Sequence, residues 1–369
     1  MTSPSSPPAP FPLEFGLDTF GDVTVGPDGA PLSHGQVLRN VVAEGEAADA
    51  AGVDVFGVGE HHRADFAVSA PEVLLAAIAA RTSRIRLGSA VTVLSSDDPV
   101  RVFQRFATLD GLSAGRAEVI VGRGSFTESF PLFGYPLDQY HQLFEEKLDL
   151  FVRLREGGPV TWRGTVRASL ERQDVFPTLD APPLRTWVGV GGSPESVVRA
   201  ARHGLPLILA IIGGNPRRFS PYVTLFHRAL AQQGREPLPV GVHSPGFVAA
   251  TDDRARELFW PPFRAMMTRI GAERGWPPFS RDQYEAEIAH GSLYVGAPET
   301  VARRIAETIR ALGVARFSLK YSAGTLAHEH LLECVTRYGR EVVPQLRALL
   351  AGAPARSDHP GFRPRPVTT

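Results

Sequence analysis

The stretch Val53-Asp54-Val55-Phe56-Gly57-Val58-Gly59-Glu60-His61-His62-Arg63-Ala64-Asp65-Phe66 decides how the rest of the chain is read. Its first six residues are apolar and β-branched enough, over a short enough run, to form a buried strand. One carboxylate, two imidazoles and a guanidinium follow at once. Ligands of parallel α/β folds bind where strands run out into loops, so this change from core-forming to reactive side chains marks a candidate site.

On the N-terminal side, Glu14–Phe20 reads as a first strand and Gln36–Ala51 as a helix, with Val37, Val41, Ala48 and Ala51 at helical spacing and Gly52 to stop it. On the C-terminal side the alternation continues. The spacing predicts helices over Pro71–Arg81, Pro99–Leu112, Leu137–Arg155, Pro194–His203, Pro216–Gln233, Pro298–Leu312 and His328–Leu350. Between them fall strands at Ile85–Leu94, Ala117–Gly124, Arg185–Gly192, Leu205–Ile212, Pro239–Thr251 and Arg316–Tyr321. Gly157–Pro183 reads as an irregular insertion, and Asp252–Gly291 as a helical, aromatic-rich segment with the character of a lid. Eight strand–helix alternations predict a single (β/α)8 TIM barrel with insertions over residues 14–350. A doubly wound sheet is the alternative, but Gly122-Arg123-Gly124 and Gly189-Val190-Gly191 both lack the third glycine of a dinucleotide fingerprint.

Composition removes several function classes. Lys and Arg total 39 and so do Asp and Glu, and no basic block points to nucleic acid or a membrane surface. The single cysteine, Cys334, excludes an internal disulfide framework and fits a reducing cytoplasm. Met1–Leu13, rich in Pro and Ser, reads as a disordered leader rather than a signal peptide, and Ala351–Thr369 as a disordered tail.

Four clusters carry chemistry. Adjacent residues at a strand end point to opposite sides, so only part of Glu60-His61-His62 can face one pocket. Adjacent histidines do not converge on a metal, and no H-x-H or H-E-x-x-H occurs, so no metal is expected. One histidine packed as a core imidazole and one exposed is the plain reading of the pair; an imidazole at a strand end that moves protons is the functional one. Gly191-Gly192-Ser193-Pro194-Glu195-Ser196 combines a glycine turn with hydroxyls at a helix start, which is either a phosphate cradle or an ordinary serine cap. Arg123, between Gly122 and Gly124, has little packing to do and is suited to a phosphate or a surface ion pair. The small residues Gly88-Ser89-Ala90-Val91-Thr92 allow something flat to approach the backbone.

In order and spacing, these motifs resemble the bacterial luciferase-like flavin monooxygenase family across residues 14–350. The resemblance rests on Glu60-His61-His62, on Gly88–Leu94 with Asp98-Pro99-Val100-Arg101, on Leu109–Arg116, on Gly122-Arg123-Gly124, and on Ser193–Ser196 with Arg202–Pro206. It implies a barrel that binds reduced FMN at its mouth, with Ser193, Ser196 and Arg123 on the phosphate, helped by Gly191 and Gly192. It further implies a non-proline cis peptide at Ala90–Val91 behind the ring, and His61 as the acid–base residue supported by His62 and Glu60. The family's reactive cysteine falls on Gly122, so light emission from a long-chain aldehyde is not expected; one of its phosphate-contacting arginines falls on His141, which implies weaker or pH-dependent phosphate binding. The implied chemistry is oxidation of a small organic substrate through a C4a-peroxide, with reduced FMN supplied by a separate flavin reductase. The implied assembly is a homodimer. F420-dependent hydride transfer and non-catalytic flavin binding are the alternatives the same family offers. Phe126, Phe130, Phe133, Tyr135 and Trp162 are candidates for an apolar pocket wall.

Overall fold

The computed structural model describes residues 11–124 and 126–351. Most of the expected leader and tail, and Ser125 beside the Gly122-Arg123-Gly124 motif, lie outside the described residues. Eight parallel strands close into a barrel: β1 (Glu14–Thr19), β2 (Val55–Val58), β3 (Arg86–Ser89), β4 (Ala117–Gly122), β5 (Thr186–Val190), β6 (Leu207–Ala210), β7 (Val240–Val248) and β8 (Arg316–Lys320). The ring closes where β1 pairs β8, with Phe15 opposite Phe317. Around it run α1 (His34–Ala51), α2 (Pro71–Ala79), α3 (Pro99–Ser113), α4 (Tyr140–Arg155), α5 (Pro194–His203), α6 (Ser220–Gln232), α7 (Asp252–Arg274), α8 (Arg281–His290), α9 (Pro298–Leu312), α10 (His328–Arg337) and α11 (Val343–Leu350).

Local chemistry sets the ends. Asp98 caps α3 by accepting from the amides of Val100 and Arg101, with Pro99 in the first turn. Gly52 ends α1 in the left-handed region at φ 86°, which favours glycine.

The expected third strand is broken. Ile85–Leu94 keeps a strand-like composition, but the chain turns at a cis Ala90–Val91 peptide, leaving β3 and a two-residue strand, Thr92–Val93, that pairs with β4. Gly157–Pro183 is more ordered than expected, since Val160–Trp162 and Leu170–Gln173 form an antiparallel hairpin. A strand at Tyr294–Gly296, beside the outer end of β7, carries too few residues to show a period in sequence. The last helix contains a wide turn at Tyr338–Val342, where a Cβ on Gly339 would stand 2.5 Å from the Cβ of Ala51.

The barrel interior departs from the usual filling of branched aliphatics. At its N-terminal end Arg316 and Glu118 form a buried ion pair, and Arg185 reaches Glu118 at 3.2 Å and Glu14 at 2.8 Å. Burial opposes the Arg316 charge, but Glu118, Asp18 and Glu14 hold it protonated. Above this floor Ile120, Trp187 and Ile208 form an apolar plug with Val91 packed on it. Gly122 and Gly189 make room for Val91, since a Cβ would come within 2.7 Å and 3.0 Å of its methyl groups. The plug therefore ends at the C-terminal mouth, where the loops carry the reactive side chains.

Candidate active site

The trio after β2 divides as adjacent residues must. Glu60 and His62 turn to one side and pair at 2.8 Å (Glu60 Oε1, His62 Nε2), both side chains 8% exposed. The other Glu60 oxygen accepts the Val93 amide at 3.0 Å, tying the end of β2 to the chain just past the cis peptide. His61 turns the other way, into an aromatic cage: Phe66 stacks on it at 4.4 Å, with Phe20 at 4.9 Å and Phe126 at 5.2 Å edge-on. Its Nδ1 faces Glu128 Oε1 at 3.3 Å. Burial works to raise the Glu128 carboxyl, but hydrogen bonding to His61 and to backbone amides outweighs it and keeps the group below the usual range. An ionised Glu128 accepts a hydrogen bond from Nδ1–H and leaves Nε2 as the nitrogen available to a ligand.

The second cluster forms at the start of α5. Ser193 caps the helix, its Oγ accepting the Ser196 amide at 3.3 Å. Arg123, at the end of β4, reaches Ser196 Oγ at 3.2 Å and His141 Nδ1 at 3.1 Å. Arg199, one turn into α5, reaches the same Ser196 Oγ at 3.1 Å. Two guanidiniums thus converge on one hydroxyl at a helix N-terminus, a geometry that suits a phosphate dianion. Two carboxylates border it: Glu195 accepts from Ser193 Oγ at 2.7 Å, and Glu145 pairs with Arg199 and Arg202. The Ser193 hydroxyl holds the exposed Glu195 carboxyl below its ordinary range.

Residues 17–316 match the model of the luciferase-like monooxygenase family. The chain belongs to that family. It is 32% identical over 200 residues to the uncharacterized protein y4wF of Sinorhizobium fredii, a match that covers 53% of this chain and spans 55% of that protein's length. In three dimensions it resembles monooxygenase RslO1 from Streptomyces bottropensis (TM-score 0.76, 24% identity, 90% of this chain and 99% of that one). It also resembles the FMN-bound oxygenating constituent of 3,6-diketocamphane monooxygenase of Pseudomonas putida (TM-score 0.74, 18% identity, 90% and 98% covered). The F420-dependent tetrahydromethanopterin reductase of Methanopyrus kandleri shares the fold at TM-score 0.65, with 19% identity and 91% and 99% covered.

In this luciferase-like chain, one loop joins the two clusters. The segment leaving β4 supplies Arg123 to the hydroxyl cluster, and then Phe126 and Glu128 to His61. Between them lies the Val91 floor. Gly122 serves that floor by its lack of a side chain. Gly191 is open on its Cβ side, and Gly192, at φ 103°, faces Phe219 and Tyr222. Of the candidate wall, Phe126 touches His61 and Phe133 lies 5.0 Å from His62. Phe130 and Trp162 are buried core, and Tyr135 covers the Lys147 ammonium at 3.7 Å. The sequence reading missed Arg199, Glu128, Phe20 and Phe66. Arg199 follows Ser196 by three residues, a spacing that puts it on the same helix face and offers the one usable signal.

The lid-like segment resolves into α7 and α8. Arg63, next to the trio, donates to Glu273 of α7 at 2.9 Å, and Arg269 of α7 pairs with Asp65. Arg274 places its guanidinium 5.3 Å from the Phe126 ring centroid. Among the described residues no group of three or more His, Cys, Asp or Glu is arranged to hold a metal, and no helix is long and apolar enough to cross a membrane.

Proposed function

We propose that this chain is the oxygenating component of a two-component flavin monooxygenase, taking reduced FMN from a separate flavin reductase and oxidising a small organic substrate with O2. The observation that carries this reading is the loop after β4, which gives one arm to an anion cradle and the other to an enclosed histidine. The residues fit the group: Arg123, Arg199, Ser193, Ser196 and His141 would hold its phosphate, and the apolar Val91 floor would lie against its ring system. When bound, reduced FMN supplies two electrons to O2, which is thereby activated for transfer to the substrate.

The chain's own residues supply the rest. Arg123 and Arg199 neutralise the phosphate and fix its position. Phe20, Phe66 and Phe126 would keep water from the space beside His61, where its exclusion suppresses unproductive loss of activated oxygen. His61 takes up or releases the proton at Nε2, while Glu128 holds the ring through Nδ1. The ion pairs from Arg63 and Asp65 to α7 keep that helix over the mouth. We also propose that the protein works as a cytoplasmic homodimer.

Anaerobic titration with reduced FMN, oxidised FMN and F420 tests the reading. Tight binding of reduced FMN, and product formation on adding O2 that is lost in His61→Ala with binding retained, is the expected result. Binding of F420 alone would move the protein to O2-independent hydride transfer, the second reading, which the likeness to the Methanopyrus reductase supports at the level of fold. Failure of every flavin to bind would remove both.

A further inference from the structure

Four carboxylate–imidazole pairs within 3.3 Å link distant or neighbouring segments among the described residues: His61 with Glu128, His62 with Glu60, His243 with Asp18 and His328 with Glu44. They are not equivalent. His62 is closed in by Phe133, and Glu60 is occupied on both oxygens, so that pair is a brace. His328 and Glu44 lie on the flank, between α10 and α1, and Glu44 is further held by the Tyr321 hydroxyl. The pair of β1 and β7 differs from both.

Asp18 and His243 project into the barrel at the mouth, His243 Nδ1 standing 2.7 Å from Asp18 Oδ2. The carboxylate is 1% exposed, whereas the imidazole is 14% exposed. Asp18 is held by shape: its Oδ1 fills the hollow over Gly57, where a Cβ would lie 2.1 Å from it and 3.0 Å from the Cβ of Ala90. That oxygen has no hydrogen-bond partner among the described residues. His243 stacks on Phe20 at 6.0 Å, and the same Phe20 ring meets His61 at 4.9 Å. The second imidazole therefore opens on the space beside the first. The other charges near it are spoken for: Lys320 of β8, over Phe20, donates to both Asp22 oxygens and to the Ser322 carbonyl, and Arg316 below is paired with Glu118.

We propose that Asp18 and His243 form a second proton-handling pair of this site, with His243 Nε2 exchanging a proton with the ligand bound in the mouth and Asp18 positioning the ring through Nδ1. The inference rests on the flavin reading above. As an imidazolium, His243 gives its Nε2 proton to a basic atom of the bound ligand and becomes the neutral Nδ1–H form, still held by Asp18. In reverse it accepts a proton at Nε2 and releases it later to water at the open edge of the ring. His243 is the catalytic residue of the pair and Asp18 its positioning residue.

Ring-nitrogen NMR of the full chain, labelled at histidine, tests this with and without saturating reduced FMN under anaerobic conditions. In the wild type the neutral His243 ring should carry its proton at Nδ1, against Asp18, and Asp18→Asn, whose amide offers a donor as well as an acceptor, should shift the ring from the Nδ1–H toward the Nε2–H form. Binding of reduced FMN should shift the His243 Nε2 resonance. His243→Asn, which keeps a side-chain donor toward Asp18, is the second variant if Asp18→Asn does not fold. It should bind reduced FMN within about threefold of wild type and lose one limb of the pH profile for reoxidation of the bound flavin by O2. An Nε2–H form in the wild type, an unchanged tautomer population in Asp18→Asn, or an unaltered pH profile in His243→Asn would overturn the proposal. Binding of reduced FMN with no response at His243 would overturn this role alone. Failure of reduced FMN to bind would overturn the flavin reading, and this role with it.

Discussion

Replacing Arg123 by Met should separate the phosphate from the ring as contributors to flavin affinity. The guanidinium reaches Ser196 Oγ at 3.2 Å and His141 Nδ1 at 3.1 Å, both neutral acceptors, so its loss strands no buried carboxylate and should leave folding intact. Arg199, at 3.1 Å from the same hydroxyl, remains to meet the ligand. A hydrogen bond to a charged group contributes about 1.5–3 kcal/mol, which corresponds to a loss of roughly 10- to 150-fold in affinity. The assay is anaerobic equilibrium titration of wild type and variant with reduced FMN and with reduced riboflavin, which lacks the phosphate. FMN affinity should fall by that factor, riboflavin affinity should change less than about twofold, and the FMN loss should shrink at high salt. Equal losses for both ligands would show that Arg123 acts on the ring or on the fold. An unchanged FMN affinity would refute the cradle.

Three further outcomes follow from packing and charge. Gly122→Ala puts a methyl 2.7 Å from Val91 Cγ2, so urea unfolding should show a loss of about 1–3 kcal/mol, partly recovered in the double variant with Val91→Ala. Lys147, buried under Tyr135 with its ammonium donating to the Ser95 carbonyl at 2.7 Å, has its pKa lowered by burial to about 8. Between that value and its unfolded value of 10.5 the unfolded chain binds more protons, so this group's contribution to stability rises with pH across that window. The difference between wild type and Lys147→Met, measured by urea unfolding from pH 7 to 10.5, should show that rise. Finally, Glu273→Gln with Asp65→Asn removes the acidic partners that Arg63 and Arg269 use to join α7 to the trio loop. At about 0.5–1 kcal/mol per exposed pair, proteolytic cutting within α7 should speed up several-fold, and 1 M salt should produce the same change in wild type but not in the variant.

The barrel was legible because most strands carry an apolar core and several helices end at a glycine, as α1 does at Gly52 and α9 at Gly313. The break in the third strand was not legible in composition, because Val91-Thr92-Val93 keeps strand composition; the cis Ala90–Val91 peptide at which it occurs was implied only by the family resemblance, and the structure has it. The two arms of the site differed in the same way. Ser193 and Ser196 stand three apart beside a glycine turn, a pattern readable in one dimension. Glu128 sits in a loop without a motif, and Asp18 and His243 are separated by 225 positions, so only closure of the barrel brings them together. The aromatic wall held only for Phe126 and Phe133: Phe130 and Trp162 have the composition of a pocket lining but are buried as ordinary core, a difference that burial alone decides.

Adjacency explains why Glu60-His61-His62 can do two jobs. Residues at i and i+2 beyond a strand share a side, and here they bind each other; the residue between them must face the opposite way. Glu60 then has one oxygen left for the Val93 amide, which fixes the chain on the far side of the Ala90–Val91 peptide. Val91 covers Gly122 and Gly189, so the two outer residues of the trio hold the floor of the mouth in place. The middle residue is released from that task and stands among Phe20, Phe66 and Phe126 with Glu128 at its Nδ1. The same geometry disfavours a shared metal, because two adjacent imidazoles facing opposite sides do not converge on one ion. A trio that binds a metal and a trio that braces a floor while presenting one base are different arrangements, and the hydrogen bonds of Glu60 correspond to the second.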